Sequence, residues 1–174
     1  QDHKAFNNLL GDGSALGLNI NYASQPCPDG IAQAFILGKK FLNNSPSALI
    51  LGDNLFHGQD LGEKLQKCQN KSIQNGASII AYPTNNPERY AVVEFDESKK
   101  VINIEEKPLN PKSRYAITGL YFYDDTVVDR VKELRPSPRG ELEITDLNNL
   151  YLKDKRLWVE QMGRGMVWLD TGTF

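Results

Sequence analysis

The sequence predicts an α/β domain built on a mixed sheet, and three observations point to it. Segments with helical spacing of apolar residues alternate with segments that read as strands. A short continuous apolar run, ALIL at residues 48–51, lies between the turn signals SPS and GDN, as a buried parallel strand does. No internal repeat, low-complexity stretch or long linker interrupts the 174 residues, a length that suits one domain. A single domain, 1–174, is therefore expected. Its ends are abrupt, because a strand ordinarily precedes such an opening helix and a helix ordinarily follows WLDTGT, so the domain is read as incomplete at both ends.

Taken in order, Ala5, Phe6, Leu9 and Leu10 give the opening segment a helical period that ends in the glycine-rich turn GDGSALG. Residues 18–23 alternate apolar and polar, which predicts a strand. Pro26, Pro28 and Gly30 break it, and Asp29 stands where it would cap a helix running to about Phe41. Residues 48–51 predict a central strand covered on both faces by helices. Residues 61–69 have helical period, and residues 77–82, 91–95, 101–104 and 115–123 read as strands. Helices near 125–134 and 142–152 precede two last strands, 157–161 and 166–169.

Composition narrows the function classes. The 20 Lys and Arg against 22 Asp and Glu give a net charge of -2, which leaves no cationic excess for a nucleic acid or an anionic membrane. No apolar run approaches the roughly 18 residues of a membrane helix, and the start QDHKAFNN lacks the apolar core of a signal peptide. Cys27 and Cys68 lack a Cys-x-x-Cys spacing and fit free thiols in a reducing compartment. A cytoplasmic protein with no nucleic-acid or membrane partner is expected.

Ligands of open α/β sheets bind at the carboxyl ends of strands, where Gly52-Asp53-Asn54 follows ALIL. A carboxylate there can hold Mg²⁺, a hard cation that takes oxygen ligands, although a turn capped by Asp53 accounts for the same residues. Asp170 ends a second strand run before Thr171 and Gly172. It supplies a second metal ligand only if the two strands are adjacent. Glu105-Glu106-Lys107-Pro108 closes another strand, with Lys107 placed for a phosphate and Glu106 for sugar hydroxyls, or else as a solvated loop of mixed charge. Gln25 precedes a proline turn and a helix start near Gly30. Its amide suits the imide edge of thymine or uracil, and a rigid capped turn is the competing explanation. The segment RGELEITD, residues 139–146, reads as a substrate loop or as acidic complement to a helix dipole. His57 has no Ser or Cys partner in a nucleophile motif and is read as structural, and Trp168 alone is read as core.

Together QPCPDGIAQA, LGDN, PERYAVVEF, EEKP, YAITGLYFYD, RGELEITD and WLDTGT occur in the order and spacing of bacterial glucose-1-phosphate thymidylyltransferases, and the chain resembles that family from Leu9 to Thr173. The resemblance implies a Rossmann-like mixed sheet flanked by helices, of the nucleotide-diphospho-sugar transferase type. It also implies an enzyme joining dTTP and glucose 1-phosphate into dTDP-glucose with release of pyrophosphate, early in dTDP-rhamnose and related surface-sugar synthesis. Carried over by resemblance, Asp53 and Asp170 hold Mg²⁺ and Lys107 contacts the sugar phosphate. Gln25 and Gly30 recognise thymine. Asn54, Glu106, Ile117, Thr145 and Trp168 hold the glucosyl part. The family's tetramer implies a homo-oligomer.

Two departures accompany the resemblance. The family's glycine-rich triphosphate loop, Gly-Gly-x-Gly-Thr-Arg-Leu, is not found in these 174 residues, which predicts weak turnover by the chain as it stands. Ala91 stands beside Tyr90 where the family usually has Gly, so a methyl would border the sugar. The C-terminal helices of the family's oligomer contacts are also not found. Two readings of other classes compete: a non-catalytic sugar-nucleotide binding or regulatory module, and a metal-dependent glycosyltransferase. The pair Asp53 and Asp170 favours an enzyme over the first, and Lys107 in EEKP fits phosphate attack better than the second.

Overall fold

Strand β6, Tyr115–Tyr123, is the spine of the molecule, because eight of its nine residues are buried and most are aromatic or β-branched or otherwise apolar. In the computed structural model, which describes residues 2–172, β6 pairs antiparallel with three strands. These are β1 (Ser47–Ile50), β3 (Ala77–Pro83) and β4 (Ala91–Phe95). β4 continues to β5 (Val101–Glu106), and β3 pairs parallel with β7 (Leu157–Gln161), so the six-stranded sheet is mixed. Apart from it, β2 (Asn54–Gly58) and β8 (Met166–Asp170) form a two-stranded antiparallel ribbon.

Alternation along β6 assigns the two faces. Ile117, Tyr121 and Tyr123 join a core beneath α2 (Gln33–Leu37), α5 (Val127–Glu133) and α6 (Ile144–Lys153). Leu120 and Phe122 face the other way, toward α4 (Leu61–Asn75) and the ribbon residues Phe56 and Met166. Helices thus cover one face, and a helix with a ribbon covers the other. Each fully buried large apolar side chain, such as Leu147 or Ile80, contributes about 1.5–3 kcal/mol to this arrangement.

The structure bears out most of the expected elements, including the opening helix α1, Asp2–Leu10, and corrects four readings. Residues 18–23 are extended but join no ladder. They are tied instead to the glycine turn, by Ile20 N–H to Asp12 O at 2.8 Å and Tyr22 O–H to Gly11 O at 2.6 Å. The helix expected from Asp29 starts only at Gln33, because Gly30 takes φ +100, and it breaks at Gly38 before α3, Lys39–Leu42. Asp29 does not cap it; its carboxylate accepts from the Gln33 side chain. The run at 48–51 is not a parallel strand buried on both faces: among the described residues β1 pairs only with β6, antiparallel, and Ile50 is 58% exposed. A continuous apolar run cannot report how many neighbours a strand has. Finally β2 was not expected, since its first residue lies in a segment that reads as a turn.

Candidate functional site

The ribbon brings the two aspartates together. Asn54 lies opposite Asp170 in the β2–β8 register, and the Asp53 carbonyl accepts from both the backbone N–H and the hydroxyl of Thr171, each at 2.9 Å. The residue after Thr171 is Gly172, whose N–H donates to Asp170 Oδ1 at 3.0 Å. A Cβ built on Gly172 would stand 2.5 Å from Asp53 Oδ2 and 3.3 Å from Asp170 Oδ1, so one small space is walled by an oxygen of each carboxylate. Mg²⁺ takes oxygen ligands and needs only one or two carboxylates beside substrate phosphates, so the donor set fits that ion. Among the described residues no group of three or more His, Cys, Asp or Glu converges as a metal cluster.

Beside this pair, Asn54 is 8% exposed and its side chain forms three hydrogen bonds. Its Oδ1 accepts from Gly119 N–H at 2.9 Å and from the Trp168 indole N–H at 2.6 Å, while its Nδ2 donates to Asp53 Oδ1 at 2.8 Å. The Tyr82 and Tyr90 rings meet Trp168 edge-on, with centroids 5.9 and 5.0 Å away. Trp168 is therefore more than core filling: it is an aromatic wall whose polar handle is bound to Asn54, beside Asp53.

A second group adjoins through Tyr90. Lys107 donates its backbone N–H to Tyr90 O at 3.1 Å and holds φ +43, a left-handed conformation that costs a side-chain-bearing residue about 1–2 kcal/mol. Glu106 pairs with Ala91 across β4 and β5 and accepts from the Thr145 hydroxyl, which α6 brings over the sheet. Ala91 is half-buried and packs against the main core, within ordinary strand geometry. Ile117 lies two residues before Gly119 on β6, across an irregularity in the β3–β6 register, and joins the face of the main core together with Tyr121. On that face burial, reinforced by the Glu106 charge, pushes the Tyr121 phenol well above its usual range.

Gln25 and Gly30 form a third group, on the turn before α2. Gln25 Nε2 donates to Gly30 O at 3.1 Å and to Gln33 Oε1 at 2.6 Å. At Gly30 a side chain would run into the backbone of Leu142, which donates its N–H to Asp29 O at 2.7 Å. Glycine there locks the turn onto the loop before α6. In that loop Arg139 forks onto Glu143, both oxygens at 2.9 Å, with Glu141 at 3.6 Å and Glu106 at 4.0 Å; the Glu143 hydrogen bond holds its guanidinium above the ordinary value. His57 lies exposed within β2, opposite Val167. Sequence reasoning missed Gly119, Gly172, Tyr82 and Thr171; a glycine inside the apolar strand YAITGLYFY was the available signal.

Sheet order, ribbon and strand-end carboxylates define a class, and the chain belongs to it: the Nucleotidyl transferase family model matches residues 1–174. Within that class, the chain is 53% identical over 173 residues to the glucose-1-phosphate thymidylyltransferase of Neisseria meningitidis serogroup A / serotype 4A, with 99% of this chain and 59% of that protein covered. The enzyme of the same name from Mycobacterium tuberculosis is 51% identical over the same shares. A crystal structure assigned as a glucose-1-phosphate thymidylyltransferase of Bacillus anthracis, solved with sucrose, superposes with TM-score 0.87 at 41% identity, covering 98% of this chain and 67% of that one. UDP-glucose pyrophosphorylase complexed with UDP-glucose superposes at 0.77 with 22% identity, over 99% and 68%, a likeness of fold alone. The chain thus spans 59% of the length of its first curated relatives.

Proposed function

We propose that this chain is the central part of a glucose-1-phosphate thymidylyltransferase, which forms dTDP-glucose and pyrophosphate for dTDP-rhamnose or related surface-sugar synthesis. The observation that carries the reading is the pair Asp53 and Asp170, brought to one small space across the β2–β8 ribbon and tied through Asn54 to the Trp168 wall. In this reading a phosphate oxygen of glucose 1-phosphate attacks the α-phosphorus of dTTP in line, a new P–O bond forms, and the bond to the departing pyrophosphate breaks. Lys107 neutralises the sugar phosphate as a point charge. Asn54, Ala91, Glu106, Ile117, Thr145 and Trp168 seat the glucosyl part, and Gln25 with Gly30 holds the thymine edge. Asp53 and Asp170 would hold Mg²⁺, which when bound offsets charge on the phosphates. By resemblance alone, the whole protein is a cytoplasmic homotetramer.

The test is pyrophosphate release from dTTP and glucose 1-phosphate, measured for the bare chain and for a chimera in which the Neisseria relative supplies its flanking segments. The chimera is expected to turn over and the bare chain to stay near background, because loss of one preorganised donor already costs on the order of a hundredfold. An inactive chimera that folds and binds both substrates would remove the assignment. A bare chain as fast as the chimera would move the triphosphate contacts onto Lys107, Arg89 or Arg139. In the chimera, Gln25→Ala should weaken dTTP binding about two- to tenfold, the worth of one hydrogen bond, and leave metal binding unchanged. Unaltered dTTP affinity would place base recognition elsewhere.

A further inference from the structure

The Asn54 carboxamide joins three elements at once. Through its oxygen it is bonded to the spine strand at Gly119 and to the ribbon at Trp168, and through its nitrogen to Asp53 Oδ1. The group is planar and rigid, so turning it disturbs all three bonds together. Gly119 is bare for want of space rather than for backbone freedom: a Cβ there would stand 2.7 Å from Asn54 Cγ and 2.8 Å from both terminal atoms of the carboxamide. Asp53 is held by one oxygen, and its other faces the space it shares with Asp170 over Gly172.

We propose that Asn54 is the positioning residue of the carboxylate pair, orienting Asp53 toward Asp170 and coupling it to Trp168, and that Gly119 is the bare position that admits it. The coupling is a property of the hydrogen-bond hub; only its purpose rests on the thymidylyltransferase reading. Asn54 thereby gains a role distinct from contact with a sugar. A ligand seated against Trp168 and a cation held by Asp53 each bias the same amide, and such coupling is reciprocal. The amide acts across 114 residues of sequence, the separation of Asn54 and Trp168.

The indole N–H signals of Trp158 and Trp168 in a ¹⁵N-labelled chain, assigned with Trp158→Phe, read the hub. Asp53→Ala should shift the Trp168 signal and leave that of Trp158 in place. The same substitution made on an Asn54→Ser background should give no further Trp168 shift, as a double-mutant cycle requires of a relay. Gly119→Ala displaces the carboxamide while leaving its partners' side chains intact, and should abolish the response in the same way if Asn54→Ser fails to fold. An unmoved Trp168 signal, or one moved equally with and without the Asn54 carboxamide, overturns the proposal. Mg²⁺ titration of the same samples separates the two readings. A Trp168 response to Asp53→Ala with none to millimolar Mg²⁺ keeps the hub and removes the metal. A Mg²⁺ response that survives Asn54→Ser keeps the metal and overturns the hub.

Discussion

Lys107 holds a left-handed backbone at the end of β5, a conformation that glycine would adopt without strain. Strain of this kind collects at functional sites, where a side chain is kept for what it touches. Lys107→Gly should therefore leave unfolding free energy within about 1 kcal/mol of the parent in urea, while binding of glucose 1-phosphate by the chimera falls at least tenfold. A loss of stability together with unchanged binding would make Lys107 structural. Gly119→Ala has the opposite profile: its methyl meets the Asn54 carboxamide at close range, and overpacking of this kind costs about 1–3 kcal/mol. A neutral outcome would show that Asn54 is free to move. The thiols differ as well. Burial, with the Glu160 charge beside it, pushes the Cys68 thiol up to about 12, whereas Cys27 is exposed. One thiol per native chain should react with a disulfide reagent near pH 8, and the second only on unfolding. Two fast equivalents would contradict the packing of α4.

Helix α4 is tied to β7 by Glu160, which accepts charge-assisted hydrogen bonds from Lys64 at 3.0 Å and Lys67 at 2.7 Å. Burial pushes the Glu160 carboxyl up, but the two lysines outweigh it and hold the group below its ordinary value. A carboxyl whose folded pKa is depressed contributes stability that is present above its unfolded value, about 4.3, and lost as pH falls through the folded one. Glu160→Gln should remove that acid-side slope and leave the rest of the stability-pH curve in place; an unchanged slope below about pH 4 would assign it to other carboxyls. At this scale much of the fold was legible. β3 to β7 follow from short runs rich in apolar, β-branched and aromatic residues bounded by turn residues, and α4 to α6 from a period of 3.6 that buries one stripe against the sheet. β2 was not legible, since Asn54 and Asp53 carry turn chemistry and the strand exists through its pairing with β8, more than a hundred residues away. Residues 18–23 show the converse: alternation without a neighbour leaves an extended segment and no ladder.

For the molecule as a whole, the sheet gathers segments that sequence could only name separately. Asp53 and Asp170 were recognisable as strand-end carboxylates, yet their adjacency required the ribbon register, and the glycines that make room at Asn54 and between the carboxylates required side-chain packing. Among the described residues no helix is long and apolar enough to cross a membrane. Family membership and the likeness to thymidylyltransferases agree with what the motifs implied, over a chain that spans 59% of those relatives. The central claim is that the two aspartates share one divalent cation. Electron paramagnetic resonance of Mn²⁺ titrated into the chain, its Asp53→Asn and Asp170→Asn variants and the double variant tests it most directly. One bound Mn²⁺ per chain is expected, weakened about tenfold or more by either single change and not much further by both, since removing one of only two protein ligands already undoes the site. Equal Mn²⁺ affinity in all four proteins, or losses that simply add as for two separate sites, would contradict it.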